Sequence, residues 1–215
     1  DHFHTTLTSS DFKVSHDKFS KTYKDKQIVL SVERLDYTKG ILEKLNAIET
    51  FLNDYPEKIF AVKFVQILVP SRLQVQANQE LVHAIETRIS QINGRFGSID
   101  HIPINFMFRS IPHSDLCALY ACADVALVTP LMDGMNLVAK EYIACKENKK
   151  GVLILSEFAG AAQELNHALI INPYDTKTFA DTIYQALTTN ELDAKNMIKS
   201  MIPIVKQKSS RYWAH

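Results

Sequence analysis

Six short apolar runs, separated by amphipathic stretches, constrain the fold of this chain more than any other feature. They read QIVLSV (27–32), FAVKFVQILV (60–69), PINFMF (103–108), DVALVTP (124–130), GVLILS (151–156) and ALIINP (168–173). Short runs rich in β-branched and aromatic residues predict buried strands. Between the first two, Ile41, Leu45, Ile48 and Leu52 recur at helical spacing and form one apolar face. Val75, Val82, Ile85, Ile89, Ile92 and Phe96 predict a long second helix that stops near Gly94 to Gly97. Further helices are predicted over 113–123, with Leu116, Leu119 and Tyr120 inward, and over 176–187, with Phe179, Ile183 and Leu187 inward. Near-continuous apolar strands alternating with amphipathic helices mean a parallel sheet covered on both faces. The fold class is therefore α/β and Rossmann-like, and ligands of such folds sit at the carboxyl ends of the strands.

Residues 27–188 are predicted to form this domain. Residues 1–26 are polar and without clear period, and read as a linker or tail. His2 and His4 would share a metal only if that segment were a strand, so a solvated tail is the expectation. Residues 189–215 read as a helical segment interrupted at Pro203. The 24 basic residues cancel the 24 acidic ones, which gives no sign of a nucleic-acid or membrane partner. No apolar run approaches membrane-spanning length and no signal peptide is visible, so a cytoplasmic protein is expected. Cys117, Cys122 and Cys145 lack paired metal spacing and read as buried thiols of a reducing compartment. The chain begins with Asp rather than Met and is expected to be part of a longer polypeptide.

The chemistry concentrates at strand exits. After the fourth run comes MDGMNLVAKEYIA (132–144), a turn at Asp133-Gly134 leading into a helix. By pattern alone this reads equally as a helix cap or as a polar-ligand site. Arg34 and Lys39 follow the first strand, and Gly40 lets the chain turn into its helix. Two cations beside a helix start suit a phosphate or diphosphate; alone, they also read as surface charges, one paired with Asp36. Arg72 follows the second strand in PSR, either a third anion-binding cation or a solvated loop residue. Asp133 and Glu141 would repel a diphosphate but accept well from sugar and ribose hydroxyls. With a helix starting near Asn136, the Leu137 and Val138 amides are free for phosphate oxygens. Diphosphate donors beside hydroxyl acceptors match a nucleotide-sugar better than a dinucleotide, and no GxGxxG follows the first strand. The small residues of SEFAGAA (156–162) permit close backbone approach to a ligand or close helix–sheet packing, and packing is the expectation.

VERLDYTKG (32–40), PSR (70–72), NGRFG (93–97), DGMNLVAKEYIA (133–144) and GVLILSEFAGAA (151–162) together resemble the trehalose-6-phosphate synthase family, in order and with compatible spacing. The resemblance implies the C-terminal, donor-binding domain of a two-Rossmann-domain retaining glycosyltransferase. It implies glucose transfer from UDP-glucose to glucose 6-phosphate, giving trehalose 6-phosphate and UDP, without cofactor or metal. Arg34 and Lys39 would act on the donor diphosphate, and Arg72 would reach the acceptor phosphate. Asp133 would bind the transferred glucose, with Gly134, Met135 and Asn136 beside it. Leu137, Val138, Ala139, Lys140 and Glu141 would hold the donor, Glu141 at the ribose. Ile111 would lie by the uracil, where some members carry an aromatic residue, and Met132 stands where many carry arginine. The family's N-terminal Rossmann domain has no counterpart here and would be the main partner, with homo-oligomers possible. On this view the isolated chain is inactive. The alternatives are a non-catalytic UDP-glucose-binding or regulatory module, and a related synthase with another phosphorylated acceptor.

Overall fold

The computed structural model describes residues 6–147 and 149–207. Six strands form one sheet, β1 (Gln27–Arg34), β2 (Val62–Val69), β3 (Ile104–Phe108), β4 (Val125–Val128), β5 (Val152–Ser156) and β6 (Leu169–Ile171). Every pairing is parallel, in the order β3-β2-β1-β4-β5-β6. The helices are α1 (Ser10–Thr22), α2 (Ile41–Asp54), α3 (Gln76–Phe96), α4 (His113–Cys122), α5 (Leu137–Cys145), α6 (Thr176–Thr188) and α7 (Glu191–Gln207).

The sheet buries both faces, as its apolar runs require. Along β1, Ile28, Leu30 and Val32 enter a core shared with α1, α4, α5 and α7. Val29, from the opposite side of the pleat, enters a second core with α2, α3 and α6. The chain winds from β1 outward to β3, then returns to place β4 on the other side of β1. The winding direction therefore reverses between β1 and β4. At such a switch the two exit loops diverge and leave a crevice at the carboxyl edge of the sheet.

Two expectations differ from the structure. Within 1–26, expected as a tail, lies the helix α1. Ser9 caps it by accepting from the Phe12 amide at 3.2 Å, and it packs along α4. Phe12 is buried, and Phe19 and Tyr23 pack against the same core. These aromatics recur at helical spacing, but α1 needs α4 beneath it to bury them. The positions of His2 and His4 lie outside the described residues. The interruption at Pro203 is also absent: α7 continues through it to Gln207. Ala194, Ile198 and Met201 are buried on one face, and that packing outweighs one missing backbone hydrogen bond at an exposed position.

Candidate functional site

The first wall of the crevice is the loop leaving β1. Arg34 is the exposed last residue of that strand. Asp36 caps a single 3-10 turn, accepting from the Thr38 amide at 2.8 Å and the Thr38 hydroxyl at 2.7 Å. Burial opposes ionisation of Asp36, but the Thr38 hydrogen bonds, with Lys39 and Arg34 nearby, outweigh it and hold its pKa below the usual value. Asp36 is thus a cap and pairs with neither cation in an ion bridge. The turn ends at Gly40, whose φ is 63°, and a Cβ there would stand 2.7 Å from the Thr129 carbonyl oxygen. Only glycine meets both demands.

The second wall leaves β4 and is bound to the first. The Thr38 carbonyl accepts from the Leu131 amide at 2.7 Å and from Met132 at 3.3 Å. Asp133 is fixed from behind by the loop after β5. Its amide donates to the Phe158 carbonyl, 3.3 Å, and its carbonyl accepts from Gly160, 2.9 Å. A Cβ on Gly160 would fall 1.8 Å from the Gly134 carbonyl oxygen. Gly160 therefore serves close packing of one loop on another, where close packing of a helix on the sheet was the expectation.

Asn136 starts α5 in a left-handed conformation, φ 54°. Its Oδ1 accepts from the Ala139 amide at 3.1 Å, and its Nδ2 donates to Asp133 Oδ2 at 3.0 Å. Lys39 Nζ meets that same Oδ2 at 2.6 Å. The Leu137 and Val138 amides, in the first turn, have no acceptor within the helix and sit where its dipole is positive.

The resulting crevice has a volume of about 400 Å³. It brings together Arg34, Lys39, Asp133, Met135, Asn136, Leu137 and Val138. Gly134 is exposed at its edge. Ala139 and Lys140 are buried, Lys140 in an ion pair with Glu164 at 3.0 Å. Glu141 does not line the crevice; it accepts from the Tyr120 hydroxyl at 3.2 Å. Burial pushes the Glu141 carboxyl above its ordinary pKa, against the opposing pull of Tyr120 and His113. Ile111 packs against the core, and Arg72 stands on the exposed loop after β2 with a φ of 47°. Neither lines the crevice.

Two residues that sequence reasoning passed over also line it. Glu33 accepts from Lys44 at 2.5 Å, from Gln66 at 2.9 Å and from Ser31 at 3.0 Å. Lys44 is fully buried and also donates to Ser31. A lysine on the apolar stripe of α2, between Ile41 and Leu45, was the available signal. Thr129 is 2% exposed, and its hydroxyl has no hydrogen-bond partner among the described residues.

A family model described as glycosyltransferase family 20 matches residues 1–215. The 56 kDa subunit of the UDP-forming alpha,alpha-trehalose-phosphate synthase of Saccharomyces cerevisiae is 45% identical over 196 residues, 91% of this chain and 40% of its own length. The UDP-forming alpha,alpha-trehalose-phosphate synthase of Candida albicans is 45% identical over 191 residues, 89% of this chain and 40% of its own length. A solved alpha,alpha-trehalose-phosphate synthase of Burkholderia xenovorans, in complex with glucose-6-phosphate, superposes with a TM-score of 0.94 at 35% identity. It is matched over 100% of this chain and 48% of its own. A solved E. coli structure, described as trehalose-6-phosphate bound with UDP-2-fluoro glucose, gives 0.93 at 36% identity, over 99% of this chain and 47% of its own. The chain thus spans less than half the length of these relatives.

Proposed function

The chain belongs to glycosyltransferase family 20, and we propose that it is the donor-binding half of a retaining glucosyltransferase. The reaction is glucose transfer from UDP-glucose to glucose 6-phosphate, giving trehalose 6-phosphate and UDP. The observation that carries this reading is the crevice itself. Two cations and a helix N-terminus converge at the switch point of the sheet, beside a carboxylate that suits sugar hydroxyls.

As the bond from glucose to the diphosphate breaks, negative charge grows on UDP. Arg34, Lys39 and the Leu137 and Val138 amides are aimed at that charge before it forms. Loss of one such donor typically costs roughly 3 kcal/mol of barrier, a hundred- to thousand-fold in rate. Asp133 accepts from the glucose hydroxyls, and the fixed loops behind it hold it in place. Arg72, outside the donor crevice, takes the acceptor phosphate. The acceptor's opposing wall comes from an N-terminal Rossmann domain, so the reaction needs both halves. The three free cysteines fit a reducing cytoplasm.

Calorimetric titration with UDP tests the reading. Saturable binding is expected, weakened by about tenfold or more in Arg34→Ala, since a hydrogen bond to a charged group is worth about 1.5–3 kcal/mol. Folded wild-type protein that takes up no UDP would overturn it.

A further inference from the structure

A second cavity, about 320 Å³, opens at the other end of the same strands. Asp124 lies just before β4 and Lys150 just before β5, whereas the donor crevice lies beyond the carboxyl ends of β1 and β4. The length of β4, about 13 Å for four residues, separates the two. His16 of α1, the end of α4, the loop from α5 to β5 and the first turns of α7 complete its walls.

Four lysines face this cavity: Lys146, Lys149, Lys150 and Lys195. Among the described residues that line it, Asp124 and Glu191 are the acidic ones, and both are engaged. Glu191 holds Lys195 at 2.6 Å. Asp124 accepts from the Ile28 amide at 2.9 Å with one oxygen, and its other stands 4.0 Å from Lys150. Among the described residues, Lys146 and Lys149 make no ion pair. Lys149 lies 3.2 Å from His16 Nε2. Burial, then the Lys149 charge, lowers the His16 pKa, which disfavours a second positive charge beside Lys149.

Lys146 is 3% exposed and donates to the Ala121 carbonyl at 2.9 Å. A cation at a helix C-terminus explains that one bond. It does not explain Lys149 and Lys150 gathered around it, or the two further donors an ammonium carries. Burial brings the Lys146 pKa to about 8, so the group is still largely charged at neutral pH. Asp124 attracts this ammonium and the Tyr142 ring lies 5.6 Å from it, but burial outweighs both. A buried cation so weakly compensated is costly, and an anion in the cavity would offset that cost.

We propose that this cavity is a second binding site, for a phosphate-type dianion held by Lys146, Lys149 and Lys150. The dianion is either free phosphate or the end group of a small phosphomonoester.

Amide-resolved NMR titration of the whole chain with inorganic phosphate tests this. Saturable shifts are expected at Ala121, Cys122, Lys149 and Lys150. Binding should weaken by about tenfold in Lys149→Gln, the effect of one charged hydrogen bond. Lys150→Gln serves as the second variant should the first fail to fold. A parallel titration with glycerol 3-phosphate assigns the source: tighter binding marks a phosphomonoester site, and equal binding marks a phosphate site. Shifts confined to Arg34, Lys39, Leu137 and Val138 would overturn the proposal. So would shifts at this cavity that chloride reproduces at matched ionic strength.

Discussion

Lys39 and Asp133 leave neighbouring strands and meet across the crevice, Nζ to Oδ2, at 2.6 Å. Their side chains are 16% and 18% exposed, so the pair is sheltered but reachable. It sets the charge of the cavity mouth. A diphosphate that enters must compete with Asp133 for the lysine, while a sugar hydroxyl must compete with the lysine for Asp133.

Asp133→Asn should therefore separate the two parts of the donor. Lys39 is released, so UDP is expected to bind as tightly as before or a few-fold tighter. The extra affinity from the glucose group should be lost. Calorimetry with UDP and with UDP-glucose measures both. Weaker binding of UDP alone would contradict the competition.

The Glu33–Lys44 pair beneath the cavity should behave as a buried ion pair. Lys44→Met leaves the Glu33 carboxylate uncompensated and is expected to cost about 3–5 kcal/mol in urea unfolding. Adding Glu33→Gln should restore part of that loss, because the stranded charge is then removed. A double variant less stable than Lys44→Met alone would show that the pair acts otherwise.

Gly160→Ala tests the loop beneath Asp133. Its Cβ would collide with the Gly134 carbonyl, so the backbone must move. A stability loss of about 1–3 kcal/mol, typical of overpacking, is expected. UDP-glucose affinity should fall with it, since Asp133 is bridged to Ala159 and bonded to Gly160. An undisturbed affinity would mean the loop does not position Asp133.

Glu141 carries a pH signature. Its folded pKa lies above the ordinary carboxylate value because of burial. Between the unfolded and folded values the native state holds more protons, so this group makes stability fall as pH rises. Above the folded pKa the penalty is fully present; below the unfolded pKa it is gone. Glu141→Gln removes the titration, so its stability relative to wild type should be greater at pH 7 than at pH 4. Denaturant unfolding at both values reads this directly, and an unchanged difference would refute the burial argument.

Much of the fold was legible because its signals are local. A run such as VLILS (152–156) is apolar at its first four positions, and the structure buries all four together with Ser156. The period of α2 likewise marks its own inner face. α1 was not legible, because three aromatics among polar residues form a helix face only when α4 is there to cover it. Pro203 misled for the converse reason: the anchors that carry α7 past it lie on other elements. At the site, the strand-exit cations and the Asp133–Val138 segment were visible as residue types in place. Glu33 was not, since a glutamate at the end of a strand looks solvated until Lys44, Gln66 and Ser31 close around it.

The sequence by itself determined the six strands, the helices between them, and the polar residues that stand at the strand exits. Those depend on periodicity and on neighbours a few positions away. Only the tertiary structure decided that β4 returns beside β1, so that Lys39, 94 residues from Asp133, donates a hydrogen bond to its carboxylate. Strand order is set by how two covered faces pack, and no single stretch of chain carries it. The crevice and its ion pair follow from that one adjacency, and the lysine cavity at the opposite edge from α1 and α7 packing beside β4 and β5.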